Sequence, residues 1–75
     1  MVDEVIFEGK NHKITTDGEK FYLYEKLLDE WSLISEKKVE KEFFEDVLKS
    51  LKEVITSVDE DEIITRLIET GFFQV

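Results

Sequence analysis

The chain has 75 residues, with nineteen carboxylates against ten basic side chains and a formal net charge of −9. This length bounds it to one small domain. The charge argues against phosphate and anionic membranes as partners, because counterion release needs clusters of Lys and Arg. Nine of the ten basic residues are Lys and the only Arg is Arg66, so bidentate phosphate readers are scarce.

Thirty-one residues are apolar, including seven each of Val, Ile and Leu and six Phe. That is enough for one compact core and too many for a disordered chain. There is no Cys, so neither a disulfide framework nor a thiolate metal site is expected. No apolar run is long enough to span a membrane, and the N-terminal residues lack the pattern of a signal peptide. A cytoplasmic location is the expectation. The absence of Ala and the richness in Lys, Ile, Phe and Glu suggest an A+T-rich coding sequence, as in many phages and some bacteria and archaea.

In chain order, Val5-Ile6-Phe7 reads as a first strand, apolar on both faces, with Val5 and Phe7 on one side and Ile6 on the other. Gly9-Lys10-Asn11 reads as a turn using residues that tolerate positive φ. His12 to Thr16 forms a second strand. Asp17-Gly18 reads as a type I′ hairpin turn leading into a third strand, Phe21-Tyr22-Leu23-Tyr24. Phe21 and Leu23 share one face and Tyr22 and Tyr24 the other.

Residues 25–35 have two readings: a helix through Leu27, Leu28, Trp31 and Ile34, or a loop over 25–30 followed by a fourth strand, Trp31-Ser32-Leu33-Ile34. The second is preferred, because Asp29-Glu30 resembles a turn feeding a strand. Val39, Phe43, Val47, Leu51 and Val54 then recur at helical spacing, widened by Phe44, Leu48 and Ile55, giving a helix over 38–56. A second helix over 60–70 would bury Ile63, Ile64, Leu67 and Ile68, start at an Asp59–Glu62 capping box and end at Gly71. The last residues, from Phe72, would dock on the core or add a short strand. The fold class expected is α+β: a three- or four-stranded antiparallel meander over 3–35, followed by two helices on one face.

Catalytic chemistry is not expected. His12 has no nucleophile motif or second His near it, and reads as a solvated side chain. The three glycines are far apart, so no phosphate-cradling loop exists, and a chain this small rarely holds a substrate pocket of several hundred Å3. No cofactor or metal is expected. The run Asp59, Glu60, Asp61, Glu62 lacks the spacing and Gly of a calcium loop and reads first as carboxylates complementing a helix N-terminus, second as an acidic docking patch.

The candidate protein-binding residues are therefore Tyr22, Tyr24 and Trp31 as aromatic anchors, Asp59, Glu60, Asp61 and Glu62 as an acidic rim, and Phe73. Phe73 enters because Phe72 and Phe73, on an extended tail, could not both face one core. The function expected is a small acidic interaction module: an inhibitor, adaptor or regulatory protein covering a surface of a larger protein. A phage-encoded nucleic-acid mimic aimed at a basic surface or nucleic-acid-binding cleft is a variant of it. The alternative is a structural or self-assembling homodimer. Direct nucleic-acid or membrane binding is not part of either reading.

Overall fold

The computed structural model describes residues 3–57 and 59–74, with the side chain of Ser57 left aside. Four strands form one antiparallel sheet in sequential order: β1 Glu4–Glu8, β2 His12–Thr16, β3 Lys20–Leu27 and β4 Glu30–Lys38. A 3-10 turn over Lys41–Phe43 leads into α1, Phe44–Ser57, and then α2, Glu60–Glu69. This is the expected α+β meander with two helices.

The sheet has one inward and one outward face. Ile14, Phe21 and Leu23 point inward and are buried with Leu51 of α1, Ile63, Ile64 and Leu67 of α2, and Phe73. The ring of Phe44 stacks on Phe21, with centroids 5.0 Å apart. Alternation is broken at two places. The pairing of β1 with β2 shifts between Val5 and Phe7, and that of β3 with β4 shifts between Leu23 and Tyr24. These bulges let Ile6 pack on the core together with Phe7, and seat Ile34 there as well. The expectation that Ile6 faces away from Phe7 is thus corrected, because strict alternation ends at a bulge.

The hairpins also differ from expectation. Asp17 lies in a three-residue loop whose only positive φ is at Gly18, so it is not a type I′ turn. Instead Asp17 Oδ1 accepts the N–H groups of Glu19 and Lys20, an Asx-type closure. The type I′ pattern of φ falls on Leu28 (51°) and Asp29 (64°). That two-residue turn makes 25–35 continuous hairpin: β3 runs on to Leu27, and β4 starts at Glu30 and extends through Lys38. Helix α1 consequently begins later than the expected residue 38.

At the C-terminus Phe72 and Phe73 both reach the core. Gly71 (φ 81°) turns the chain sharply after α2, and the two rings meet edge-on with centroids 4.9 Å apart. Phe73 is fully buried, so it is removed from the binding candidates; the premise of an extended tail was the error. Ile68, expected inside, is exposed. Val58 and Val75 lie outside the described residues, and residues 72–74 form no strand.

Candidate protein-interaction surface

Cross-strand register assembles the outward face. Lys13, Tyr24 and Leu33 form one row across β2, β3 and β4. Thr15, Tyr22 and Glu36 form the next, with Val5 beyond Thr15, while Lys26 lies opposite Trp31 towards the β3–β4 turn. Tyr22, Tyr24 and Trp31 are therefore brought together on one surface, all half-buried. Among them stand Leu33 at 49% exposure and Val5 at 51%.

The ammonium of Lys13 lies 4.7 Å from the Trp31 ring centroid and 5.1 Å from that of Tyr24. Lys26 adds a third such contact, 5.7 Å from Trp31. A cation over an aromatic ring at an exposed site contributes about 0.5–1 kcal/mol, so these contacts hold the two lysines over the rings without removing them from water. Tyr22 is fixed differently, its hydroxyl donating to Asp17 Oδ2 at 2.6 Å. That bond, joined by the N–H groups of Lys20 and Glu19, lowers the pKa of Asp17 to about 2. The same bond leads the causes that push Tyr22 up to about 12.

The hairpin tip continues this surface. Leu28 is 98% exposed and in the left-handed conformation, which costs a non-glycine residue about 1–2 kcal/mol. Leu27 beside it is 53% exposed. Neither leucine was singled out from the sequence as a binding residue; a pair of leucines where a turn was expected was the available signal.

The acidic run has mostly local duties. Asp59 caps α2 by accepting the Glu62 N–H at 3.0 Å. Glu62 pairs with Arg66 at 3.2 Å, and Asp61 is exposed. Glu60 reaches across to the β1–β2 turn, where it accepts from the N–H groups of Lys10 (2.6 Å) and Asn11 (2.9 Å) and meets His12 Nδ1 at 2.7 Å. Burial opposes ionisation of Glu60, but the His12 bond together with the two N–H groups outweighs it and the pKa lies below the usual carboxylate value. His12, read as solvated, is instead largely covered, with Glu25 at 3.7 Å from its other nitrogen. The cause is α2 returning to the first turn, a contact across 48 residues that no local pattern encodes.

A second apolar feature is an open groove of about 430 Å3 between α1 and α2, lined by Phe43, Val47, Leu51, Val54, Leu67 and Phe72 among others. Among the described residues, no cluster of His, Cys, Asp and Glu is arranged to hold a metal ion, and no helix is long and apolar enough to cross a membrane. Comparisons with protein-family models, with curated proteins and with solved structures find no match to this chain.

Proposed function

We propose that this chain is a small acidic protein-interaction module, an inhibitor, adaptor or regulatory protein, that binds a larger protein through the outward sheet face and the β3–β4 tip. The observation that carries this reading is Leu28: a large apolar side chain, almost wholly in water, on a backbone that prefers Asn or Gly. Such a residue lowers stability by strain and gains nothing from burial, and a strained outlier is a pointer to function. Its neighbours are the residue types that anchor protein interfaces. The acidic run supports the reading less, since Asp59, Glu60 and Glu62 each have an intramolecular partner. A cytoplasmic setting belongs to the same proposal.

The test compares wild type with Leu28→Asn. Asn fits the turn, so the melting temperature is expected to rise by several degrees, equivalent to roughly 1 kcal/mol. Capture of a partner from host lysate, quantified by mass spectrometry, is expected to fall at least tenfold for the same variant and for Leu33→Ser, and to stay unchanged for Lys49→Gln on α1. A partner retained by both hairpin variants would overturn the proposal. Light scattering that shows a stable dimer lost in both variants would also overturn it, in favour of self-assembly.

A further inference from the structure

Resolved by face, the charge is unevenly spread. Over residues 40–75 there are ten carboxylates and four basic side chains, a net of −6. The outward sheet face carries Lys13, Lys20, Lys26 and Lys38 against Glu8 and Glu36, with Asp17 and Asp3 acting on Tyr22 at its edge, which is 4 − 4, or zero. Lys20 is paired with Glu36 at 3.3 Å, at the end of the sheet away from the β3–β4 turn. Towards that turn the aromatic platform of Tyr24 and Trp31 has lysines, Lys13 and Lys26, directly over its rings.

We propose that the Trp31–Leu33 platform, flanked by Lys13 and Lys26, takes an acidic protein segment that lays an apolar side chain on Leu33 beside the rings and sets carboxylates on the two ammonium groups. This rests on the interaction-module reading and narrows it, since it reverses at this face the basic partner that the net charge suggests. Lys13 and Lys26 are already held over Trp31, so less side-chain freedom is lost when a carboxylate arrives. Single-stranded nucleic acid fits less well. Base stacking needs free ring faces, and here the face of Trp31 is covered by ammonium groups. A polyanion would also meet the whole −9 field, whereas a short acidic peptide carries few charges.

The field of the acidic helices still matters, in a way that salt can reveal. The molecule measures 37 × 29 × 20 Å, and the helices lie behind the sheet. At about 10 mM salt the screening length is roughly 30 Å and the whole charge is felt; near 150 mM it is about 8 Å and the charges at the rings, those of Lys13 and Lys26, dominate. Affinity for an acidic peptide therefore has a maximum at intermediate salt.

Trp31 is the only Trp, so its fluorescence reports binding directly. The probes are a peptide with a central Leu-Phe flanked by two Glu on each side, its Lys-substituted counterpart, and a twelve-nucleotide oligothymidylate, each titrated from about 10 mM to 1 M salt. The acidic peptide is expected to bind with an intermediate-salt maximum, and Lys13→Glu with Lys26→Glu to weaken it at least tenfold; circular dichroism and the milder pair Lys13→Gln and Lys26→Gln check that folding is intact. Preferential binding of the basic peptide or the oligonucleotide, or no response to any probe, overturns the acidic-partner inference. If Leu28→Asn still abolishes partner capture in that case, the interaction surface stands and only the chemistry assigned to its partner fails.

Discussion

The carboxylate of Glu60 occupies the space that a side chain at Gly9 would need. A Cβ built on Gly9 would lie 2.5 Å from Glu60 Cδ and 2.9 Å from the ring of Phe7. Gly9 has no positive φ, so its role is close approach rather than backbone freedom, which corrects the reading of this turn from its composition.

Gly9→Ala is therefore expected to destabilise the fold by roughly 1–3 kcal/mol, because the carboxylate must leave the N–H groups of Lys10 and Asn11. In a Glu60→Ala background the same change should cost much less, and a double-mutant cycle by chemical denaturation measures the difference. Additive effects would show that the two residues are not coupled. Because the folded pKa of Glu60 is lowered, its contribution is present above the ordinary Glu pKa and is lost as the pH falls through the folded value.

The Tyr22–Asp17 bond gives a paired titration. Asp17 is depressed to about 2, so its contribution to stability holds above its ordinary pKa of 3.8 and is lost on acidification towards 2. Tyr22 is raised to about 12, so its contribution holds below the ordinary value of 10.0 and is lost as the pH rises through 12. Carbon-detected NMR of Asp17 and ultraviolet titration of the tyrosines should find these midpoints. Tyr22→Phe should move Asp17 back towards its ordinary value, and an unmoved Asp17 would show that backbone N–H groups alone depress it.

Thr15 supplies the third expectation. It is buried on the outward face, and its hydroxyl has no hydrogen-bond partner among the described residues. Thr15→Val keeps the shape and β-branching while removing an uncompensated polar group, so stability should increase by about 1 kcal/mol, or roughly 4–8 °C in melting temperature. A decrease in thermal unfolding measurements would mean that the hydroxyl is in fact satisfied.

The sequence was most legible where periodicity is long or a residue has a single local role. The strand run Phe21 to Tyr24 placed its inward and outward residues correctly, and Asp59 was recognisable as the cap of α2. It was least legible where one residue changes the pattern. The bulges at Ile6 and Ile34 break the period of two without any Gly or Pro to announce them. Leu28-Asp29 adopts a turn for which Leu is a poor former, while Asp17-Gly18, the better turn sequence, does not. Of the candidate residues, Tyr22 and Tyr24 were placed on the outward face by alternation and Trp31 entered by residue type, while the exposure of Leu27, Leu28 and Leu33 was not legible because hydrophobic residues are expected inside.

The sequential strand order has a kinetic consequence. Every strand pairs with its neighbour in the chain, so the sheet closes only short loops. The bonds from Glu60 to residues 10–12 instead join positions 48 to 50 apart. Loop-closure entropy places that contact late: the meander and the two helices can each develop on their own, and α2 then locks onto the first turn. Unfolding would begin by reversing this step, with Glu60 releasing the turn and exposing the core beneath α2 while the hairpins are still paired.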